Sequence, residues 1–356
     1  MNLTKNNIRF DGLEALRGTS AILVIIYHTI LLTDLKSSIT GSWINNLAIA
    51  VPVFFCISGF SLFYGYHDNF FSETSFKKFY IRRFFRLAPL FYLMLIFYVV
   101  FFLFRGVRYD IPTILNNITF TYILIPGKQE SIVWSGWSVG IEWLFYFIFP
   151  LLLLLSKNKK IYFSMLAISI CYSIEVNILF KEISYENSPS YLYMNIFKHF
   201  TYFLLGISVY KTLEFFDKKT EIIKKIGRYD FVILISLYIT IAYSNISSVI
   251  KISVFLFVFL SVLFSVTGSS FVLNNKLSRL WGKCSYGLYL FNPIIIYILN
   301  ESGFYQKIAK IFFIGGPFTM SFISIISTIA VTTLLAWLSH DYFEQPFIKL
   351  GQKILK

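Results

Sequence analysis

Charge is what this sequence has least of: 14% of its 356 residues are Asp, Glu, Lys or Arg, where a soluble domain carries about a quarter. That shortage excludes a soluble globular enzyme or binding module. Acidic residues are the scarcer kind, 18 against 32 Lys and Arg, for a net charge of +14. In a soluble chain such an excess would point to nucleic acid. Here the cations gather between apolar runs, as insertion topology and an anionic inner leaflet require, so no nucleic acid partner is expected. The cysteines Cys56, Cys171 and Cys284 are an odd set in or beside apolar segments, which fits neither a disulfide framework nor a zinc site and reads as packing. A serine nucleophile on a strand-to-helix elbow is not expected either. No internal repeat of the kind found in many secondary transporters is evident. The opening MNLTKNNIRF lacks a short apolar core followed by a cleavage site, so no removable signal peptide is expected.

What the chain has in abundance is apolar. Hydrophobic residues make up 56% of it, with 41 Phe and 24 Tyr, and its mean hydropathy is +0.67. A span needs about 20 residues, and apolar runs place spans at 13–33, 44–65, 87–104, 134–155, 161–180, 194–213, 230–248, 252–271, 284–300 and 312–338. The expectation is an all-α polytopic membrane protein, one domain over residues 1–356, with about ten transmembrane helices in the inner or plasma membrane. A cytosolic N-terminus puts Lys5, Arg9 and Arg17, the five cations of 77–86, Lys157, Lys159 and Lys160, and the six of 211–228 on the inside. That alternation, kept loop after loop, predicts both termini cytosolic.

The first span, LEALRGTSAILVIIYHTILLT, carries Glu14, Arg17 and His28. At 3.6 residues per turn, the step from Arg17 to His28 is close to three whole turns, so the two share a stripe about 16 Å long. Glu14 joins it one turn earlier. An ionisable group at membrane depth costs about 2.5 kcal/mol or more, so it normally faces protein or a water-filled interior and marks a pathway or reaction site. Two plainer roles stand beside that one: Arg17 snorkelling to the interface, and His28 bonding a neighbouring helix.

Further along, VPVFFCISGFSLFY contains Pro52, expected to kink its helix, and Ser58-Gly59, which permits close helix approach or a substrate contact for Ser58. In FKKFYIRRFFRLAP, Arg83 and Arg86 lie one turn apart. They suit bidentate phosphate recognition, and equally plain topology and binding of membrane lipid headgroups. Residues 105–133 are too short to span and read as a re-entrant or lid-like piece. Glu142 then interrupts WSGWSVGIEWLFYFIFP, four residues after Ser138 and beside Trp137 and Trp143. As a carboxylate it can serve an arginine, an imidazole or a sugar hydroxyl. Glu175, Lys198 and His199 sit near expected interfaces and carry no role, and His340 reads as an exposed helix-end residue.

Taken in order, these stretches resemble the acyltransferase 3 family of integral membrane acyltransferases over about residues 10–346. Arg17, ten residues and His28 resemble its first-helix motif, and FFCISGF its FF-x-x-SGF. Arg83 and Arg86 match Arg-x-x-Arg, and Trp137-Ser138 with Glu142-Trp143 match Trp-Ser-x-x-x-Glu-Trp. Tyr289-Leu290 matches an aromatic Tyr-Leu motif, and Glu344 with Pro346 a closing Glu-x-Pro. Two positions depart: Pro52 stands where the family often has an acidic residue, and Asn292 where many members have a histidine.

The resemblance implies transfer of an acyl group, most often acetyl, from acyl-CoA as donor substrate, with no bound cofactor or metal. The acceptor would be a hydroxyl of an extracytoplasmic surface or lipid-linked glycan such as O-antigen, capsule or exopolysaccharide. His28 is then the general base, since imidazole titrates near neutrality. Arg17 and Glu142 join it as catalytic candidates. Arg83, Arg86, Glu14, Ser58, Trp137, Ser138, Tyr289 and Asn292 are candidates for holding donor or acceptor. Some relatives carry an added hydrolase-like domain. The expectation is that this chain has none, and completes transfer alone or through a separate extracytoplasmic acceptor protein. The alternative from another class is a transporter or flippase for a lipid-linked glycan.

Overall fold

The computed structural model describes residues 10–33, 42–68, 70–71, 73–179, 193–216, 220–268, 276–311 and 317–355. Among them the regular structure is entirely helical, with no strand. Helix α1 is Asp11–Leu31, followed by α2, Ser42–Asn46, and α3, Ala50–Tyr66. Then come α4, Glu73–Phe104, α5, Ile111–Ile118, α6, Gly136–Ser156, α7, Lys159–Leu179, and α8, Ile196–Phe215. The short α9, Thr220–Gly227, precedes α10, Asp230–Tyr243, and α11, Ser247–Thr267. The chain closes with α12, Lys276–Lys283, α13, Ser285–Glu301, α14, Phe304–Ile311, α15, Pro317–Ser339, and α16, Gln345–Ile354.

Every expected span overlaps a helix, with 87–104 lying inside the longer Glu73–Phe104 and 230–248 running past the end of Asp230–Tyr243, although residues 180, 269–271 and 312–316 of those spans lie outside the described residues. Among the described residues, six helices are both long and apolar enough to cross a membrane: Asp11–Leu31, Trp43–Tyr66, Ser75–Phe104, Gly136–Ser156, Ser247–Thr267 and Thr319–Ile354. The protein is therefore a multi-pass membrane protein. Two of the other four expected spans meet shorter helices. Asp230–Tyr243 has 14 residues and is bent by 62° from Glu221–Gly227, and Ser285–Glu301 has 17.

The chain divides into two compact units. One comprises residues 1–61 and 202–337. Its core sets Ala21, Ile22 and Ile25 of α1 against Cys284, Leu288 and Ala336. Glycines bring the backbones together at the other end of α1. A Cβ on Gly18 would run into Ser278 O and Gly282 N, and one on Gly282 into the Glu14 carbonyl. The Gly59 of the Ser-Gly-Phe motif works in the same way, since a Cβ there would strike Phe203 O of α8. Pro52 proves to lie in the first turn of α3, after a 3₁₀ turn at Leu47–Ile49. The missing N–H costs nothing in a first turn, so the expected proline kink is absent.

The second unit comprises residues 62–201 and 338–356. Here 105–133 forms a folded cap rather than a loop. Helix α5 begins at Asp110, whose carboxylate accepts from Thr113 N at 3.2 Å. The Thr113 side chain, and after it this backbone N–H, holds the exposed Asp110 carboxyl below its ordinary range. Buried Asn117 accepts from Ser131 Oγ at 2.7 Å and Ile132 N at 3.0 Å, and donates to Thr113 O at 2.9 Å. Tyr122 donates to Gly136 O at 2.6 Å, tying the cap to the start of α6. The ring of Phe120 packs, tilted, against those of Phe91 and Trp143, with centroids 4.7 and 5.2 Å away.

Two minor expectations need correction. His340 is not an exposed helix end. The helix continues through a π-helical turn, His340–Glu344, into α16, and the His340 side chain is 16% exposed, with Nδ1 3.9 Å from Glu344 Oε2. His199 is buried among its neighbours, its Nε2 2.7 Å from Tyr193 O and its ring 5.3 Å from Trp137. Cys56 and Cys284 are buried as packing residues should be, whereas Cys171 is exposed.

Candidate active site

The polar residues singled out in the sequence fall into two constellations, one within each unit. The first is built on α1. Its 21 residues form one continuous helix, so the stripe through Glu14, Arg17 and His28 exists as the spacing required. Arg17 is half-buried and its Nη2 donates to Ser61 Oγ at 3.4 Å. Ser61 lies one turn beyond Ser58 on α3, and Ser58 is itself buried. Glu14 is half-buried one turn below Arg17.

His28 occupies the last turn of α1. Its Nδ1 lies 2.6 Å from Oδ1 of Asn292, and its ring is 5.6 Å from Tyr27. Asn292 is fully buried in α13, where its Nδ2 donates to Leu288 O at 3.0 Å and Tyr289 O at 2.7 Å. Tyr289 is buried too, with its ring edge-on to Phe54 at 5.9 Å. Of the donor and acceptor candidates, then, Tyr289 and Asn292 gather with His28. One of the two residues that depart from the family pattern, Asn292, is the one bonded to the imidazole.

The second constellation joins α4 to α6. Glu142, half-buried, accepts a 2.5 Å hydrogen bond from the Tyr146 hydroxyl one turn on. The guanidinium of Arg83 lies over three rings, Tyr66, Phe79 and Tyr146, at 5.9, 5.7 and 5.5 Å. Its Nε is buried and finds no hydrogen-bond partner among the described residues, a state that costs about 1–3 kcal/mol unless an acceptor arrives. Arg86, one turn along, is exposed. Aromatic faces fix the position of a guanidinium without using its N–H donors, so Arg83 is set to receive an anion. Trp137 and Ser138 are buried at the start of α6, Trp137 against Tyr193 at 5.2 Å and Ser138 Oγ 3.4 Å from Ser135 O.

The sequence holds signals that its first reading misses. Gly136-Trp137-Ser138-Val139-Gly140 spells G-x-S-x-G. Ser138, however, is the third residue of a helix that no strand precedes among the described residues, so the elbow context is absent. Tyr146 is four residues from Glu142 and Ser61 three from Ser58, spacings that put each pair on one helical face.

These features define a helical membrane protein with a half-buried imidazole in one unit and an aromatic-caged arginine in the other. An acyltransferase-domain family model matches residues 10–338. The chain thus belongs to the acyltransferase 3 family, as the motif order implied. Over its full length it is 26% identical to a Staphylococcus aureus (strain COL) protein provisionally named an O-acetyltransferase, spanning 61% of that protein. It is 25% identical to a Bacillus subtilis (strain 168) protein provisionally named a peptidoglycan O-acetyltransferase, with 98% of this chain and 56% of the relative aligned. A peptidoglycan O-acetyltransferase of Listeria monocytogenes is 28% identical over 42% of this chain and 26% of its own length. The chain spans about three-fifths of the curated relatives it matches over its full length. No solved structure matches it. None of these findings supports the flippase alternative.

Proposed function

We propose that this protein is an O-acetyltransferase of the inner or plasma membrane that moves an acetyl group from cytosolic acetyl-CoA to a hydroxyl of an extracytoplasmic envelope glycan. The observation that carries the reading is His28, an imidazole at membrane depth held by a buried partner on a second helix. An acceptor hydroxyl attacking a thioester must lose its proton, and a fixed imidazole is the group suited to take it. The names of the Listeria and Bacillus relatives give peptidoglycan as their acceptor, which makes peptidoglycan the first acceptor to test. With termini inside and about ten spans, Arg17 stands toward the cytosol and His28 about 16 Å further along the axis. The donor then enters past Arg17 while the acceptor meets His28 from the other side.

Arg83 and Arg86 are assigned to the phosphates of the donor. Caging leaves the Arg83 donors unspent, and charge-assisted contacts to phosphate are worth about 1.5–3 kcal/mol each. Arg83→Ala with Arg86→Ala should therefore raise the KM for acetyl-CoA far more than for a phosphate-free acetyl thioester. Equal losses on both donors would reduce these arginines to topology determinants. Glu142 is assigned to orienting the acceptor, with Tyr146 fixing its carboxylate. Glu142→Gln should keep wild-type expression and lose turnover, and full activity would return Glu142 to a structural role.

The direct test of the activity is acetyl-CoA hydrolysis or exchange by the purified full chain in lipid. Acetyl release above the protein-free rate is expected, and a complete lack of it would favour a carrier over an enzyme.

A further inference from the structure

The environment of Asn292 determines which nitrogen of His28 bears the proton. An asparagine side chain has two N–H donors on Nδ2 and an acceptor on Oδ1. The Nδ2 atom is spent on two carbonyls of its own helix, Leu288 O at 3.0 Å and Tyr289 O at 2.7 Å. Carbonyls accept and cannot donate, so turning the amide over would set Oδ1 against two acceptors. The orientation is therefore fixed by α13 itself, and Oδ1 is what faces His28 Nδ1 at 2.6 Å. Only a protonated Nδ1 can complete that bond. In neutral imidazole one nitrogen carries the proton and the other the lone pair. The Nε2 atom makes no hydrogen bond with any described residue.

We infer that Asn292 is a positioning residue that locks neutral His28 in the Nδ1–H form and so makes Nε2 the nitrogen that accepts the acceptor proton. The inference rests on the assignment of His28 as general base and adds to it the atom, the tautomer and the residue that sets them. In proton balance, the acceptor O–H bond breaks as Nε2–H forms, the acceptor oxygen bonds to the acetyl carbon, and the thiolate leaves. The resulting imidazolium keeps Nδ1–H on Asn292 throughout, so no rearrangement of the pair is needed within the step. Where many family members have a histidine, an asparagine does this without a second titrating group beside the base.

The chain has four histidines, which makes the tautomer directly readable. The full chain, labelled with 15N-histidine and placed in lipid at alkaline pH where imidazole is neutral, gives a signal assigned to His28 by its loss in His28→Gln. The wild-type signal should be that of Nδ1–H with Nε2 bare. Asn292→Leu, similar in size but without an acceptor, should release the ring toward the Nε2–H form. The same variant should lower kcat by about 10- to 100-fold, the range for losing an orienting partner, with the KM for acetyl-CoA unchanged. A wild-type Nε2–H signal, or an unchanged tautomer in Asn292→Leu, overturns the inference; the wild-type spectrum alone decides if that variant fails to fold. The Nδ1–H form in a protein whose His28→Gln variant still acetylates would uphold the tautomer and overturn the base assignment beneath it.

Discussion

His28→Gln should express and insert at wild-type levels while acetyl transfer falls by about 10²–10⁴, the range for loss of a general base. Glutamine keeps polarity and can bond Asn292, so a histidine that merely held two helices together would be replaced with little effect. Only the proton-accepting role is removed. Donor binding should survive, because the phosphates of the donor are assigned to Arg83 and Arg86 rather than to His28. Arg17→Ala should give the complementary pattern, weaker donor engagement with His28 intact. Measured acetylation of the acceptor at matched protein levels separates the two roles, and near-normal modification in His28→Gln would end the catalytic assignment.

The second large effect is on folding. Gly282→Val puts a branched side chain where even a Cβ would enter the Glu14 carbonyl. Because the obstacle is backbone, the crossing of α1 and α12 has to open. Small-to-large changes in well-packed sites cost about 1–3 kcal/mol and sometimes more, and here the relief must come from moving whole helices. Loss of most folded protein is expected, read as a drop in the monodisperse fraction after detergent extraction. The same variant at wild-type yield would show that α1 and α12 do not cross as closely as described. Since Arg17 and His28 both ride on α1, this contact positions the site as well as stabilising the unit.

Much of this was legible in the sequence because it is local. The Arg17 and His28 stripe follows from helical spacing alone, and one continuous helix carries it. The six long apolar helices declare themselves by length, and their agreement with the expected spans reflects how few solutions a bilayer permits. The short helices were harder. An apolar run such as 230–248 looks like a span, yet the helix is 14 residues long, and composition does not say where a helix bends.

What local patterns could not supply were partners far apart in the chain. His28 and Asn292 are 264 residues apart, so the sequence could mark the histidine as anomalous but not find what holds it. In the sequence Asn292 registers as a missing second imidazole and a candidate substrate contact; in the structure it is the fixed acceptor of the first. Arg83 read as one of five cations at a helix end, because cation–π stacking on Tyr66 and Tyr146 depends on three segments meeting. Pro52 misled for the opposite reason: its effect depends on its turn of the helix, and a helix start is the boundary that sequence defines least well.

The most direct test of the account is the ester-linked acetyl content of the envelope glycan, measured by NMR or mass spectrometry in cells with the gene, without it, and with the His28→Gln form at equal protein level. The account predicts O-acetyl groups on the glycan in the first strain and their loss in the other two. Glycan acetylation that is the same in all three strains would contradict it.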